Sequence, residues 1–284
     1  MKDIIRKIYY SLHGKYKAYK NYKIMPKRVH KFFVNSPYPE KLRALKDIHK
    51  GERCFVIGNG PSLRAEDLDK LKGEYTFASN FIGKIFDKNE WRPTYFCVMD
   101  PKYVRENIGD FLKYEKEQMF VAVYAENFEG AKQWFGNPDI IFCEMTHGAG
   151  EGKLPGFSDD VSKIMYGGYS VTYCLLQLAV HMGFKEIYLL GVDNNFAVNK
   201  GFNGVINDGG NKEGHFYKSS RQESGNVEGM TNAYEAARIY AEKNNIKIYN
   251  STRGGKLETY ERKSFDSIEN LNLLNFSLIS CQIF

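Results

Sequence analysis

The stretch CFVIGNGPSL, residues 54–63, passes from four apolar residues directly into a turn in which two glycines flank an asparagine. The apolar run predicts a buried strand, and the Pro61-Ser62 pair before LRAEDLDKL predicts that a helix begins at once. Glycines in such a turn let backbone amides approach a phosphate, and the helix start adds the positive end of its dipole. The segment therefore predicts a strand, a ligand-binding turn and a helix in direct succession.

Short apolar runs alternate with helical patterns through the rest of the chain after residue 50. Near-continuous apolar strands separated by helices are typical of a parallel sheet covered on both faces. We therefore expect an α/β fold with a Rossmann-like, mostly parallel sheet and helices on both faces. The strands are predicted at 53–57, 75–78, 94–98, 118–123, 139–143, 186–190 and 246–249, and the helices at 63–72, 102–117, 128–135, 169–182 and 227–244.

The predicted organisation is one main domain with additions at both ends. A chain of 284 residues with 43% hydrophobic residues can bury a full core. The main domain is expected over residues 51–260, and its polar, glycine-rich segment 194–226 is expected to be a lid. Residues 1–50 form a basic amphipathic extension, and residues 261–284 an apolar tail.

The net charge of +6 is concentrated in the first fifth of the chain. Residues 1–50 hold 14 Lys and Arg against 3 Asp and Glu. An apolar helical face made of Ile4, Ile5, Ile8, Tyr9 and Leu12, flanked by lysines, predicts peripheral contact with the anionic inner face of a membrane. One alternative is a helical extension that packs on its own domain and exposes its basic face to solvent. The other is contact with nucleic acid, which the same positive charge would permit, but we expect no nucleic-acid partner.

The cysteine pattern and the apolar runs predict a cytoplasmic protein. The five cysteines show no metal-binding spacing and mostly lie inside apolar runs, which indicates buried thiols in a reducing compartment. The longest mostly apolar window, residues 173–184, is shorter than the ~20 residues that span a bilayer. The sequence leaves self-association into a homo-oligomer open.

Polar and glycine residues follow four of the predicted strands, at the edge where ligands bind in parallel sheets. Glycine frees the backbone, while asparagine offers a donor and an acceptor that could read sugar hydroxyls or base edges. The turn lacks the lysine of a Walker A loop and does not match GxGxxG. The two aspartates of the set could instead be strand-end caps. The candidate binding residues are Gly58, Asn59, Gly60, Pro61, Ser62, Asn80, Asp100, Asp193 and Asn195.

Two further segments carry candidate site residues. Ser170 or Thr172 stands at the start of the helix over 169–182, where a hydroxyl either caps the helix or contacts the ligand. His215 and Tyr217 lie inside the polar segment 194–226.

The segments VIGNGPSL, ASNF, GGYSVTYCLLQLAVHMGFKEIYLLGVD and HFY, in this order, resemble the bacterial sialyltransferases of glycosyltransferase family 42 and the central domain of motility-associated factors. An archaeal 6-hydroxymethylpterin diphosphokinase belongs to the same superfamily. The resemblance covers roughly residues 50–250. It implies that Asn59, Gly60, Pro61, Ser62 and Asn80 bind the CMP part of a donor and that Asp193 contacts the nucleotide.

The resemblance implies inverting, metal-independent transfer of sialic acid or another nonulosonic acid from a CMP-activated donor to a hydroxyl of a cell-surface saccharide. No cofactor is expected beside this donor substrate. An imidazole suits the general base at neutral pH. His215 is the candidate and His147 its competitor, while Tyr217 or Lys218 could stabilise the leaving phosphate. Asn195 stands where the family places a tyrosine.

Two other functions remain open. A diphosphokinase would need Mg²⁺ held by carboxylates such as Asp100 and Asp193. A non-catalytic nucleotide-binding protein would be unaffected by replacing His215 and His147.

Overall fold

The computed structural model describes residues 14–16, 19–147, 153–204, 206–208, 214–218 and 224–268. In this part of the chain nine strands form one sheet in the order β12-β11-β7-β1-β2-β3-β4-β5-β6, and every neighbouring pair is parallel. The predicted Rossmann-like parallel sheet is confirmed. The strands are β1 Arg53–Ile57, β2 Tyr75–Ser79, β3 Tyr95–Val98, β4 Gln118–Val123, β5 Ile140–Thr146, β6 Met165–Tyr166, β7 Glu186–Leu190, β8 Val198–Lys200, β9 Ile206–Asp208, β10 Ser224–Asn226, β11 Lys247–Asn250 and β12 Glu261–Arg262.

The α-helices of the described residues are α1 Met25–Val34, α2 Tyr38–Ala44, α3 Ala65–Asp69, α4 Pro101–Glu106, α5 Ile108–Phe111, α6 Phe128–Ala131, α7 Val171–His181 and α8 Val227–Lys243. Short 3₁₀ helices cover Asn80–Ile85, Lys132–Trp134 and Phe265–Ser267, and a π-helical turn covers Lys20–Ile24. The predicted helix over 102–117 is wrong in length. Asn107 leaves the helical conformation between α4 and α5, and the ammonium group of Lys116 binds the carbonyls of Leu112 and Tyr114 in the turn that follows.

The core lies between the sheet and its helices. The middle strands are buried on both faces, and ten of the eleven residues of α7 are buried. Such burial explains why these strands are continuous apolar runs in the sequence. The predicted buried thiols are confirmed for Cys54, Cys97, Cys143 and Cys174, whose pKa burial raises. Cys281 lies outside the described residues.

Helices α1 and α2 pack on the sheet edge near β5. Met25, Val29 and Phe33 of α1 and Tyr38 and Leu42 of α2 are buried in the same core as the strands. Their basic side chains are exposed. This arrangement matches the packing alternative for residues 25–44. The apolar face predicted at Ile4, Ile5, Ile8, Tyr9 and Leu12 lies outside the described residues.

The segment predicted as a lid contains a second, three-stranded sheet in the order β10-β8-β9. Strand β8 pairs with β10 in parallel and with β9 in antiparallel orientation. Between β9 and β10, residues 214–218 approach the main sheet, where the Phe216 amide donates to the Asn59 carbonyl at 3.0 Å. The lid assignment itself stays a prediction.

The chain after β11 packs on the same domain as far as it is described. Leu257, Tyr260, Phe265 and Ile268 are buried. The rest of the predicted apolar tail, residues 269–284, lies outside the described residues. Among the described helices, none combines the length and apolarity that a membrane crossing requires.

Candidate functional site

The order of the strands places a cavity at the carboxyl edge of the sheet. The chain proceeds from β1 through β2 to β6 on one side, whereas β7 and β11 lie on the other side of β1. The loops after β1 and β7 therefore diverge, and this switch point is where open α/β sheets bind ligands. A cavity of about 410 Å³ lies there, here called the switch-point cavity. Its lining includes the predicted site residues Gly58, Asn59, Gly60, Asn80, Asp100, Ser170, Thr172, Asp193, Asn195 and His215.

Three predicted residues lie outside this lining among the described residues. Pro61 and Ser62 follow the turn, and Ser62 reaches the site through its hydroxyl, which donates to Asp193 Oδ2 at 2.7 Å. The Tyr217 ring packs against Phe81, with Lys84 Nζ 4.3 Å from its ring centroid.

The glycines of the first turn allow two backbone turns to pack against each other. A Cβ on Gly58 would lie 2.3 Å from the Gly191 carbonyl oxygen, and one on Gly60 would lie 1.8 Å from Asp193 Oδ2. The Gly58 amide donates to the Leu190 carbonyl at 2.7 Å, and the Gly60 amide donates to the Gly191 carbonyl at 2.8 Å. These two amides are committed within the fold, so the expectation that they cradle a phosphate is corrected. The glycines instead join the ends of β1 and β7.

Four asparagine side chains give the cavity its chemical character. The Oδ1 atoms of Asn59, Asn80, Asn194 and Asn195 are buried and have no hydrogen-bond partner among the described residues. Asn59 is oriented by its Nδ2, which donates to the Ser79 carbonyl at 3.1 Å. A buried acceptor without a donor costs free energy. The cavity is therefore suited to a ligand that presents several N–H or O–H donors.

Backbone conformation adds to this pattern. Asn80 has φ 53° and Asn194 has φ 49°, a left-handed conformation that asparagine tolerates better than most residues. Asn194 did not appear among the predicted site residues. Its position directly after Asp193, at the end of a predicted strand, is the sequence signal that could have identified it.

The two candidate aspartates differ in role. Asp100 caps α4, because its Oδ1 accepts from the amides of Lys102 at 2.8 Å and Tyr103 at 3.2 Å. The strand-end cap alternative thus holds for Asp100, although the residue also lines the cavity. Asp193 is 7% exposed, and burial raises the pKa of its carboxyl while the Ser62 hydroxyl opposes that rise. The Ser62 hydroxyl therefore holds the Asp193 side chain in place beside the cavity.

The N-terminus of α7 faces the same cavity. The Ser170 hydroxyl caps the helix by accepting from the Thr172 amide at 3.2 Å, and it also accepts from the Tyr234 hydroxyl at 3.3 Å. The capping alternative for Ser170 is therefore observed, while Ser170, Val171 and Thr172 all line the cavity. The positive end of the helix dipole favours a negatively charged ligand group at this wall.

Of the histidines His147, His181 and His215, one lines the switch-point cavity and two lie elsewhere. His215 lines the switch-point cavity, and its ring lies 4.9 Å from that of Tyr217. His147 lies outside the lining, where its Nε2 contacts Glu126 Oε2 at 2.8 Å. His181 is buried in α7, where its Nε2 contacts the Leu42 carbonyl at 2.8 Å.

The remaining histidines belong to the amino-terminal part of the chain. His30 pairs with the buried Glu144 at 3.0 Å. His49 is buried between Glu52 and Tyr95. His13 lies outside the described residues.

The charged side chains of the described lining are those of Asp100, Asp193 and, when protonated, His215. Within the described ranges, no group of three or more His, Cys, Asp or Glu side chains could hold a metal ion. The lining groups that could ligate a cation are the carboxylates of Asp100 and Asp193. The amide, hydroxyl and aromatic groups that form most of the wall can hydrogen-bond and pack against a polar ligand that carries rings and hydroxyl groups.

Comparisons with known proteins place the fold. Residues 30–199 match the family model described as 6-hydroxymethylpterin diphosphokinase MptE-like. That match includes the loops after β1 and β7 and ends before His215. A search of curated proteins gives no significant match.

Solved structures with a similar chain path are the MAf glycosyltransferase from Magnetospirillum magneticum AMB-1 and the sialyltransferase CstII from Campylobacter jejuni. The first is 14% identical over 81% of this chain and 39% of its own, with a TM-score of 0.48. The chain thus spans well under half of that protein. CstII in complex with cytidine-5′-monophosphate is 14% identical over 76% of this chain and 86% of its own, with a TM-score of 0.45. The groups named by the motif resemblance are the groups that the comparisons return.

Proposed function

This chain belongs to the 6-hydroxymethylpterin diphosphokinase MptE-like family, and from that premise we propose that it is an inverting glycosyltransferase. It moves an acidic sugar, sialic acid or another nonulosonic acid, from a CMP-activated donor to a hydroxyl of a saccharide. The premise is compatible with this activity because the motifs of the chain resemble family 42 sialyltransferases, which share the superfamily.

The observation that carries the proposal is the set of four asparagines that line one cavity and whose buried Oδ1 atoms have no hydrogen-bond partner among the described residues. A cytidine nucleotide offers matching donors, namely the exocyclic amino group of the base and the two ribose hydroxyls. Because each of these oxygens is already buried, its desolvation cost is met before the ligand arrives. Asn59 and Asn80 lie after β1 and β2, so we assign them to the nucleotide.

The charge of the described lining disfavours a donor with many anionic groups. Asp100 and Asp193 give the described lining a negative character at neutral pH, and Asp193 carries a carboxyl with a raised pKa. A CMP-linked acidic sugar carries one phosphodiester and one carboxylate, whereas a triphosphate brings several charges to the same wall. The N-terminus of α7 is placed to compensate one such anionic group.

In the proposed reaction the acceptor hydroxyl oxygen attacks the anomeric carbon from the face opposite the phosphate. The bond between the anomeric carbon and the phosphate oxygen breaks, and CMP leaves with that electron pair. The hydroxyl proton passes to an imidazole nitrogen of His215, which lines the cavity. Tyr217, 4.9 Å from the His215 ring between ring centroids, supports that ring.

The test measures CMP release from a CMP-activated nonulosonic acid in the presence of a saccharide acceptor. We expect turnover with EDTA present. His215→Gln should lower kcat about 100- to 10,000-fold, as loss of a general base does, with little change in CMP binding. His147→Gln is the matched control, because His147 lies outside the cavity lining. Equal effects of the two substitutions, or a larger effect of His147→Gln, would contradict the assignment of His215.

A second candidate function follows from the family description itself. A diphosphokinase would transfer the terminal diphosphate of ATP to a hydroxymethyl group, with Asp100 and Asp193 holding Mg²⁺. Both carboxylates line the cavity, so the donor set fits a cation that is bound mainly by the nucleotide. AMP formation from ATP and 6-hydroxymethylpterin that requires Mg²⁺ would support this function and would displace the first proposal.

The position of the enzyme in the cell is part of the proposal. We propose that it acts in the cytoplasm at the inner face of the membrane, where a lipid-linked or surface acceptor would be reached, and that the basic residues 1–50 provide the contact. Co-sedimentation of the full chain with phosphatidylglycerol vesicles tests this contact. Replacement of Lys2, Arg6 and Lys7 by glutamine should weaken it. Self-association stays a prediction that analytical ultracentrifugation can check.

A further inference from the structure

A second cavity of about 430 Å³, here called the basic cavity, lies beyond the carboxyl end of β11. Among its described lining residues are four cationic side chains and three hydroxyl groups, and no carboxylate is among them. The charged side chains of this lining are therefore positive, whereas the switch-point cavity is lined by two carboxylates. The cations are Arg64, Arg253, Arg262 and Lys263, and the hydroxyls belong to Ser251, Thr252 and Ser264.

Three of the cations are held in place by carboxylates that lie outside this lining. Arg253 binds Asp67 at 2.8 and 2.9 Å and Asp266 at 2.9 Å. Arg262 binds Glu258 at 2.6 Å, and it also donates to the Gly254 carbonyl at 2.8 Å.

Lys263 is held in the same manner, with its Nζ 3.0 Å from the Tyr188 hydroxyl and 3.6 Å from Glu186. Such pairs orient the cationic groups before any ligand binds, which lowers the side-chain entropy lost on binding. The paired carboxylates also compensate the charges of Arg253, Arg262 and Lys263, so Arg64 is the cation of the lining that has no ion pair among the described residues.

Arg64 and Ser251 of the basic cavity have side chains without a partner among the described residues. Arg64 is exposed and forms no ion pair with them. Ser251 is 3% exposed, and its Oγ is buried without a hydrogen-bond partner. A buried hydroxyl without a partner costs free energy that a ligand oxygen could recover. A guanidinium and a hydroxyl are both donors, which suits a phosphate oxygen.

We propose that the basic cavity binds a phosphate or diphosphate group, with Arg64 and Ser251 as its direct contacts. The site is separate from the proposed nucleotide site and does not depend on the activity assigned to it. The two cavities share a wall, since the Thr252 Oγ1 accepts from the Val192 amide at 3.1 Å and the Lys256 amide donates to the Asp193 carbonyl at 2.7 Å. A phosphorylated ligand held here would lie beside the proposed nucleotide site.

The test is isothermal titration calorimetry with sodium pyrophosphate on the full chain, once without CMP and once with CMP in excess. We expect one binding site, and we expect Arg64→Gln and Ser251→Ala each to raise the dissociation constant about tenfold, a loss of ~1.4 kcal/mol. Arg105→Gln is the matched control because Arg105 is exposed, lies on α4 and is absent from the lining. Circular dichroism melts of each variant report whether it is folded.

Three results would overturn the proposal. They are the absence of pyrophosphate binding by the wild-type chain, an equal loss in Arg105→Gln, and an unchanged dissociation constant in Arg64→Gln. If Asn59→Ala abolishes pyrophosphate binding, the anion is held in the switch-point cavity and the proposal also fails. Loss of CMP binding alone, with pyrophosphate binding intact, would count against the proposed function and not against the basic cavity.

The phosphate can belong to a soluble molecule or to a lipid headgroup, and a second arm separates these sources. The arm measures co-sedimentation with phosphatidylglycerol vesicles and competition by soluble glycerol phosphate. Vesicle binding that decreases in Arg64→Gln but not in Arg105→Gln assigns the phosphate to a lipid. Displacement of pyrophosphate by glycerol phosphate without such vesicle dependence assigns it to a soluble ligand. Both outcomes support the chemistry of the site.

Discussion

Replacement of Gly60 by alanine perturbs the contact on which the switch-point cavity is built. The new Cβ would lie 1.8 Å from Asp193 Oδ2 and 2.7 Å from the Gly191 carbonyl oxygen. Neither distance is tolerable, so the turn after β1 and the turn after β7 must separate. Separation breaks the 2.8 Å hydrogen bond from the Gly60 amide to Gly191 and the 2.7 Å bond from Ser62 to Asp193.

The expected cost is about 3 kcal/mol in the free energy of unfolding, the upper end for overpacking in a rigid site. With a urea m-value of about 3 kcal/mol/M, the midpoint of urea unfolding falls by about 1 M. Gly109→Ala is the control, because Gly109 lies in helix α5 and its new Cβ would make an ordinary 3.4 Å contact with the Trp134 ring. That substitution should leave the midpoint unchanged or raise it slightly.

A double-mutant cycle identifies the cause. In an Asp193→Ala background the 1.8 Å clash is absent while the Gly191 carbonyl oxygen remains, so the cost of Gly60→Ala should fall by about 1 kcal/mol. CMP binding should be lost in Gly60→Ala together with stability. A Gly60→Ala protein that unfolds at the same urea concentration as Gly109→Ala would refute the packing described for this turn.

Three further predictions concern titration, buried charge and thiols. Burial raises the pKa of the Asp193 carboxyl above the ordinary 3.8, so this group stabilises the folded chain less as the pH rises past that value. The Asp193→Asn variant should therefore gain stability relative to wild type between pH 4 and pH 7. Urea unfolding at the two pH values that shows no such relative gain would count against the raised pKa. Arg253→Gln leaves Asp67 buried without its partner and should cost roughly 2–3 kcal/mol in urea unfolding, with Arg105→Gln near zero. The four buried cysteines should resist Ellman's reagent in the folded chain at pH 8, so a Cys281→Ser variant should show no fast-reacting thiol, and a stoichiometric fast phase would disagree with their burial.

All seven strands predicted from the apolar runs are present in the structure, because a strand buried on both faces of a parallel sheet must be apolar along its whole length. The short strands β6, β8, β9, β10 and β12 were not predicted. Each of these strands has two or three residues, which are too few to show an alternation of apolar and polar side chains. They are recognised as strands only by their hydrogen bonds to a neighbouring strand. Predicted helix ends failed where a polar residue such as Asn107 breaks the pattern locally.

The location of the candidate site was predictable because glycine, asparagine and aspartate follow strands whose carboxyl ends meet at one edge. The structural role of the glycines in this turn was not predictable from the sequence. Only the three-dimensional packing shows that Gly60 faces Asp193, 133 positions later in the chain.

The basic cavity was likewise not predicted from the sequence. Its cations come from the loop before α3 and from residues after β11, so no local pattern unites them. Only the folded structure shows that the buried Ser251 hydroxyl has no partner among the described residues. Sequence patterns report which residues end strands, whereas the partners of those residues depend on the fold.

The most direct test of the proposed function is calorimetric titration of the full chain with CMP and, separately, with ATP, each in EDTA and in Mg²⁺. The four buried asparagine oxygens predict one CMP site of equal affinity in both buffers, weakened at least tenfold by Asn80→Leu. Absence of CMP binding together with ATP binding that requires Mg²⁺ would contradict the glycosyltransferase account.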